Sequence, residues 1–239
     1  MPDTSAEPSR RAAVIGAGGR VGRAVTAALL RDSWDVVAVV RDPERHDLPP
    51  HPRLHVTRGD AQRPDGLAPA LATVEAAVLA VTPFTAPPDS FDGFDPDYYV
   101  TIVTGLAAHW PAPHRRLVAV GLAATLRLDT GELVMDDPEL FPPFLRPFAL
   151  AHARQADALR DTGLEWAMLV PPSGFGLAPP AGPGRSLVRE PVTRRQATAG
   201  LSHADYADAV AGELGAPTLH GGRAAVVPPP VDDLPMLAG

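Results

Sequence analysis

The sequence contains no lysine, no asparagine and no cysteine, so all 21 of its basic residues are arginine. Without lysine the chain cannot form a Schiff base, and without cysteine it has no thiol nucleophile. Aromatic residues make up only 5 % of the chain, and its 3 tyrosines are Tyr98, Tyr99 and Tyr206. No apolar run reaches the length of a membrane span, because arginine, aspartate or proline interrupts the longest ones. Covalent catalysis through an amine or a thiol is therefore excluded.

Length and charge restrict the remaining classes of protein. A chain of 239 residues, 45 % of them hydrophobic, fits one α/β domain with a large core. The formal net charge of −7 argues against a nucleic-acid partner, for which a basic face is expected. Residues 1–10 lack the apolar segment of a signal peptide, so we expect a flexible tail and a cytoplasmic protein. We expect a small molecule as its partner and no membrane; monomer and dimer both stay open.

The most informative stretch is a glycine-rich turn near the N-terminus. The apolar run ending at Ile15 leads into Gly16-Ala17-Gly18-Gly19-Arg20-Val21-Gly22, and a helical pattern follows at once. The spacing is G-x-x-G-x-x-G. Gly16 would allow a tight turn, Gly19 a close approach of backbone amides to a diphosphate, and Gly22 close packing of helix on strand. A helix N-terminus offers unpaired N–H donors to phosphates, so the turn predicts dinucleotide binding.

Strand and helix patterns alternate along the rest of the chain. Apolar runs such as 35–40, 76–81 and 116–120 are typical of buried parallel strands, and helical patterns separate them. This order predicts a doubly wound parallel sheet in a three-layer αβα arrangement, the Rossmann fold, as one domain over residues 11–239. Ligands bind beyond the carboxyl ends of such strands. Three long loops leave those ends, at 82–96, 121–144 and 171–200, and we expect them to be structureless and to form a small substrate-binding cap.

Phenylalanines in these loops indicate an apolar substrate pocket. They are Phe84, Phe91, Phe94, Phe141, Phe144 and Phe175. The alternative is that they pack on the edges of the sheet.

The end of the second predicted strand bears on the choice of nucleotide. An acidic residue at this point binds the ribose hydroxyls of NAD. Here Val40 is followed by Arg41, whose guanidinium suits the extra phosphate of NADP. Asp42 comes next, and its alternative role is to start a turn with Pro43. We therefore expect NADP (NADPH) rather than NAD, with Arg20 as a further charged contact near the diphosphate.

The glycine motif, Val40-Arg41-Asp42-Pro43, Arg58-Gly59-Asp60 and the segment Asp161 to Pro172 together resemble the atypical short-chain dehydrogenases. Within that group the chain is most similar to NADH-flavin reductase and biliverdin reductase B-like proteins, with NmrA-like proteins as more distant relatives. The likeness covers nearly the whole chain. It implies that Asp60 and Ala61 lie near the adenine, and that Ala80, Val81 and Thr82 lie near the ribose and phosphates.

The same resemblance locates the catalytic positions of the family. The usual Tyr-x-x-x-Lys pair falls on Phe148 and His152, which cannot replace it in full. The biliverdin reductase B-like proteins also have a histidine at the second position. Leu122 replaces a serine of those proteins, and Ser173, which follows Pro172, replaces a histidine. We include these residues with Phe84 and Phe175 in the expected substrate pocket, and carry over no biliverdin chemistry.

The missing pair bears on mechanism. Reduction of a ketone needs an acid, whereas flavins and quinones delocalise the charge formed and take a proton from solvent. We expect an NAD(P)H-dependent oxidoreductase that reduces a flavin, a quinone or another conjugated small molecule, with His152 as the candidate acid. Two alternatives stay open: a non-redox isomerase or cyclase, and an NmrA-like sensor of NADP. The histidines are not spaced as metal ligands, so no metal site is predicted.

Overall fold

The computed structural model describes residues 10–46, 48–84, 86, 88–110, 115–182 and 186–228. The predicted tail, except for Arg10, lies outside these residues. The described strands are β1 (Arg11–Ile15), β2 (Asp35–Val40), β3 (Leu54–Arg58), β4 (Ala76–Leu79), β5 (Arg116–Val120), β6 (Glu165–Val170), β7 (Gly174–Phe175), β8 (Ser186–Val188), β9 (Gly200–Leu201) and β10 (Gly222–Val227). The described α-helices are α1 (Arg20–Arg31), α2 (Ala68–Leu71), α3 (Tyr98–His109), α4 (Arg146–Arg160), α5 (Arg194–Thr198) and α6 (His203–Gly215).

Eight of these strands form one sheet in the order β3-β2-β1-β4-β5-β6-β10-β8. All neighbouring pairs are parallel except β8, which runs antiparallel to β10 at the edge. The chain starts in the middle of the sheet, winds outward to β3, and then returns to continue from β4 in the other direction. This reversal is the switch point at which α/β folds of this kind bind their ligands. The predicted doubly wound, mostly parallel sheet is confirmed.

The sheet has a hydrophobic core on each face because its side chains alternate. In β1, Ala13 and Ile15 pack with Ile102 and Leu106 of α3, and with Leu159 of α4. Ala12 and Val14 point to the other face, where they pack with the buried residues of α1 and α6 that include Val25, Leu29, Tyr206 and Val210. The three-layer arrangement follows from this alternation. No helix in the described ranges is both long and apolar enough to span a membrane.

The segment 171–200 differs from its predicted structureless loop. It contains β7, β8 and α5, and β7 pairs with β9 in a second, two-stranded sheet. The start of α5 carries a local signal that the sequence reading missed. Thr193 accepts a hydrogen bond from the backbone of Gln196, and the Gln196 side chain accepts one from the backbone of Thr193. This capping box has the pattern T-x-x-Q, which is visible in the sequence.

Candidate nucleotide-binding site

The glycine turn after β1 has the geometry that its residue types predict. Gly16 has a φ of +89°, and a Cβ there would lie 2.4 Å from the Ala80 carbonyl oxygen. A Cβ at Gly22 would lie 2.1 Å from the Gly16 carbonyl oxygen, because α1 packs directly on the turn. Gly19 is different, since its Cβ would meet nothing closer than 3.4 Å. Side chains at 16 and 22 would disrupt the turn itself, whereas one at 19 would only fill the space in front of it.

Hydrogen bonds hold this turn in place and leave the first amides of α1 available. The amides of Gly16 and Ala17 donate to the Val39 carbonyl at 3.1 and 3.2 Å. The Arg23 side chain donates from Nε to the Gly18 carbonyl at 3.0 Å. The helix then opens with the amides of Arg20, Val21 and Gly22, which have no acceptor within the helix. With the positive end of the helix dipole, they form a ready site for an anion.

A cavity of about 460 Å³ lies in front of this turn, between the carboxyl ends of β1, β2 and β4. It brings together many of the predicted cofactor residues: Gly16, Gly18, Gly19, Arg41, Asp60, Ala61, Ala80, Val81 and Thr82. Phe84, a predicted substrate-pocket residue, lines it as well. It also brings in residues that the sequence reading did not select, among them His46, Gly59, Pro83 and Tyr98. Arg20, Val21 and Gly22 belong to α1 and do not line this cavity. Its lining also lacks Leu122, Phe148, His152, Pro172, Ser173 and Phe175.

The end of the cavity near β2 separates the roles of Arg41 and Asp42. The Asp42 carboxylate accepts a hydrogen bond from the Glu44 amide at 3.3 Å and so caps the short turn that follows. It also forms ion pairs with Arg45 at 3.1 Å and Arg58 at 3.6 Å. Arg41 is exposed and lines the cavity, and no carboxylate of the described residues lies within ion-pair distance of it. Asp42 therefore serves its own loop, while the Arg41 guanidinium is available for a ligand.

Tyr98 lines the cavity, although it is not among the residues that the sequence predicts to bind the cofactor. It is the first residue of α3, and its side chain is mostly buried. Burial raises the pKa of its hydroxyl; the positive charge of Arg41 opposes this rise and the carboxylate of Asp60 adds to it. Tyr98 thus lies near two predicted cofactor residues that come from different strands. No local pattern could have identified it, because its neighbours are distant in sequence.

His152, the candidate acid, lies in a buried aromatic environment on α4. It is 6 % exposed, and its Nδ1 is 3.2 Å from Oε1 of Gln155. Burial lowers the pKa of the imidazole to about 3, with the hydrogen bond to Gln155 acting in the opposite direction. Its ring centroid lies 4.0 Å from that of Tyr99, whose hydroxyl donates to the Val81 carbonyl at 3.4 Å. A neutral imidazole at neutral pH follows; its catalytic role stays a prediction.

The phenylalanines of the three predicted loops do not come together in one group. Phe84, Phe91 and Phe94 pack around Phe148 of α4, with Phe84 and Phe148 centroids 4.8 Å apart. We call these four residues the aromatic cluster. Phe175 instead packs 4.7 Å from the ring of His203 and 4.9 Å from that of Tyr206. Phe141 packs against the core, and Phe144 is 55 % exposed.

The other predicted pocket residues are Leu122, Pro172 and Ser173. Leu122 is half-buried and packs with the small apolar group of Ala124, Met135 and Ala149. Pro172 is buried and accepts a backbone hydrogen bond from Phe175 at 3.1 Å. The Ser173 amide donates to the Ala197 carbonyl at 2.8 Å, while its side chain is exposed. This bond joins the segment after β6 to α5.

Solved structures with this fold come from several bacteria. A "putative NADH-flavin reductase" of Streptococcus pneumoniae TIGR4 is 22% identical with a TM-score of 0.73, covering 92% of this chain and 100% of that chain. A "putative epimerase" of Bacteroides thetaiotaomicron is 24% identical with a TM-score of 0.76, covering 92% and 98%. A short-chain dehydrogenase/reductase of Veillonella parvula, in complex with NADP, is 20% identical with a TM-score of 0.71, covering 92% and 95%.

At these identities the structural likeness establishes the fold alone. No curated protein matched the chain. A family model described as NAD(P)H-binding matches residues 16–217, from the first glycine of the turn to the end of α6 and beyond. The chain therefore belongs to the NAD(P)H-binding family.

Proposed function

We propose that the protein is an NADPH-dependent reductase of a flavin, a quinone or another conjugated small molecule. The observation that carries the proposal is the position of Phe84. It lines the nucleotide cavity and also packs on Phe148 in the aromatic cluster. A nucleotide in the cavity would thus lie beside an apolar aromatic surface, in a chain that has no lysine to complete a Tyr-x-x-x-Lys pair.

The cavity fits an NADP molecule in its residue types. The amides of Arg20, Val21 and Gly22, which directly follow the cavity residues Gly18 and Gly19 in the sequence, would hold the diphosphate. Gly19 leaves room for it because it has no side chain. The Arg41 guanidinium would pair with the 2′-phosphate, which requires a cation that is not already neutralised. Asp60, Ala61 and Tyr98 would border the adenine. NADP is favoured over NAD because Asp42, the carboxylate that could bind ribose hydroxyls, is engaged by Arg45 and Arg58.

When bound, the dihydronicotinamide supplies a hydride. The chain's own residues then have two tasks, which are to hold the acceptor flat against the cofactor and to exclude water from that contact. The aromatic cluster offers planar, apolar side chains for the first task. His152 stays the candidate acid, and because its burial keeps it neutral at neutral pH, solvent is the other source of the proton that balances the hydride. This division of roles suits an acceptor that delocalises the added charge.

We infer that residues 11–239 act as one domain, with the segments 82–96, 121–144 and 171–200 covering the acceptor. Its partner is a small molecule rather than nucleic acid or a membrane, and its location is the cytoplasm.

The direct test follows the absorbance of NADPH when the purified protein meets FMN, a naphthoquinone or a simple aliphatic ketone. We expect oxidation of NADPH with FMN or the quinone and none with the ketone. Failure with every conjugated acceptor would overturn the proposal. A substrate that rearranges while bound nucleotide stays unchanged would identify an isomerase or cyclase. Absence of turnover, with different affinities for NADPH and NADP⁺, would identify a sensor.

A variant at Gly19 tests whether the chemistry uses this cavity. Gly19 has a φ of −76°, which residues with side chains adopt freely, and space in front of it. Gly19→Leu should therefore fold but fill the place of the diphosphate, abolishing NADPH binding in calorimetry and the reductase activity. The matched control is Gly212→Ala on α6, where a Cβ meets nothing within 4 Å. Unchanged binding in Gly19→Leu would contradict the assignment of the cavity.

A further inference from the structure

The ring of His46 packs directly on Gly18 in the glycine turn, where a larger residue would leave no room for it. It follows the short turn Pro43–Arg45, and its backbone is held there by the Leu48 amide, which donates to the His46 carbonyl at 3.1 Å. A Cβ at Gly18 would lie 2.5 Å from both Cε1 and Nδ1 of the imidazole. Real Cβ atoms do not approach other atoms so closely, because the van der Waals overlap is too large. The ring thus occupies the space that a side chain at position 18 would take.

The imidazole is also available to a ligand. Both His46 and Gly18 line the nucleotide cavity, together with Arg41 and Asp60. Among the described residues, no hydrogen-bond or ion-pair partner is present for either ring nitrogen of His46. The ring is half-buried, so it faces the cavity rather than open solvent alone.

We propose that His46 contacts the phosphorylated ribose of NADP and contributes to the preference for NADP over NAD. An imidazole N–H donates a hydrogen bond to a 2′-phosphate oxygen beside the Arg41 guanidinium; every protonation state of the ring has such a donor. Gly18 leaves room for the His46 ring because it has no side chain. This inference rests on the proposed function, since it requires that NADPH is the nucleotide.

A variant at Gly18 tests the same contact independently of a change in His46. Gly18→Ala should push the ring out of the cavity and mimic removal of His46. If so, Gly18→Ala should have no further effect once His46 is already alanine. Two residues that act only through each other give such non-additive effects, whereas independent residues give additive ones.

The experiment is calorimetric titration of the purified full chain with NADPH and with NADH. It compares the unmodified protein, His46→Ala, Gly18→Ala, the double variant, and His55→Ala on the exposed side of β3 as a control. We expect His46→Ala and Gly18→Ala each to weaken NADPH binding about tenfold, as loss of a hydrogen bond to a charged group does. NADH binding should change less than about twofold, and the double variant should match either single one. Thermal unfolding of each variant reports whether it is folded.

Equal losses for NADPH and NADH in His46→Ala, or no loss for either, would overturn the inference. Additive losses in the double variant would show that Gly18 and His46 act separately, which also contradicts it. The outcome for Arg41→Ala separates this inference from the proposed function. If Arg41→Ala selectively weakens NADPH and His46→Ala does not, only the role of His46 is wrong. If the unmodified protein does not bind NADPH, both are wrong.

Discussion

At the scale of single residues, neighbouring side chains in the sequence take opposite roles. Arg41 and Asp42 are adjacent, and by residue type either one could contact the ribose of the nucleotide. Arg58 comes from β3 and Arg45 from the turn after β2, and together they engage the Asp42 carboxylate. The different roles of Arg41 and Asp42 thus depend on Arg58, which lies 16 residues after Asp42. The register of β2 with β3 brings Arg58 beside Asp42.

Arg41→Ala should weaken NADPH binding by about 10- to 100-fold, the cost of losing a hydrogen-bonded pair with a charged group. NADH binding should change little, because NADH has no 2′-phosphate. Titration calorimetry with both nucleotides measures the difference. Arg53→Ala, at another exposed arginine just before β3, is the control and should affect neither nucleotide. Equal losses for NADPH and NADH in Arg41→Ala would remove the case for a phosphate contact.

His152 should make the free energy of unfolding depend on pH. Its pKa is lowered to about 3 in the folded chain, whereas an unfolded histidine titrates near 6.5. Between these two pKa values the unfolded chain binds one more proton than the folded chain. The contribution of His152 to the free energy of unfolding is therefore fully retained above pH 6.5 and is lost progressively as the pH falls toward 3. The expected slope from this residue is about 1.4 kcal/mol per pH unit over that window.

Urea unfolding at several pH values between 7 and 4 measures this slope. His152→Gln keeps a polar group beside Gln155 but cannot be protonated, so its curve should fall less steeply than that of the unmodified protein by about one proton. Parallel curves would show that His152 is not buried in its neutral form. The result does not depend on the nucleotide, and it therefore tests the environment of His152 separately from the proposed function.

At the scale of elements, the start of α6 organises the segment above it. Ser202 caps the helix by accepting from the Asp205 amide at 3.0 Å. The Asp205 carboxylate in turn accepts from the Ser202 hydroxyl at 2.7 Å and from the amides of Ala181 and Gly182 at 2.9 and 3.2 Å. The sequence alone predicts this cap, because Ser202 precedes Asp205 by three residues in a variant of the capping box. It did not predict that the same carboxylate anchors a segment 24 residues earlier, since no local pattern encodes that contact.

Asp205→Ala should lower the free energy of unfolding by about 2 kcal/mol, because two partly buried amides and a buried hydroxyl lose a charged acceptor. Chemical unfolding measures the change. Asp208→Ala on the same helix is the matched control; its carboxylate pairs with the exposed Arg31, and surface pairs contribute at most about 1 kcal/mol. Similar costs for the two variants would show that the anchoring bonds contribute little.

The missed strands share one physical cause. β7, β8 and β9 are two or three residues long, so they show no periodicity from which a strand could be predicted. Their formation depends on a partner strand elsewhere in the chain, such as β10 for β8. The long elements were predicted well because each buries a regular apolar face. The apolar run 76–81 also predicts too long a strand, because β4 ends at Leu79 and Val81 lines the cavity instead.

At the scale of the whole molecule, one buried ion pair joins the sheet to a helical layer. Arg116 of β5 donates from Nη2 to Oε1 of Glu213 in α6 at 2.6 Å, and both side chains are buried. Glu213 also accepts from the amides of Thr218 and Leu219 and from the Thr218 hydroxyl. Arg116 donates from Nη1 to the Leu219 carbonyl at 2.8 Å. These bonds lie at the amino end of β5, opposite the nucleotide cavity.

Glu213→Ala should lower the free energy of unfolding by about 3 to 5 kcal/mol, because it leaves the Arg116 charge buried without a partner. Replacing both residues, as in Arg116→Met with Glu213→Leu, should restore much of that loss, since apolar side chains need no counter-charge. Urea unfolding of the three proteins measures this. NADPH affinity should stay unchanged in the folded variants, given the distance from the cavity. A double variant as unstable as Glu213→Ala would indicate that the hydrogen bonds, rather than the buried charge, dominate.

The amino-acid sequence was sufficient for the glycine turn, the order of the long strands and helices, and the doubly wound sheet. These features depend on backbone geometry and on periodic burial, and residues close together in the sequence determine both. The folded chain was needed to show that Asp42 is engaged while Arg41 is available, that Tyr98 and His46 line the cavity, and that Phe84 packs on Phe148. These contacts join segments far apart in sequence, and side-chain packing between them, rather than any local pattern, places their atoms within reach of one another.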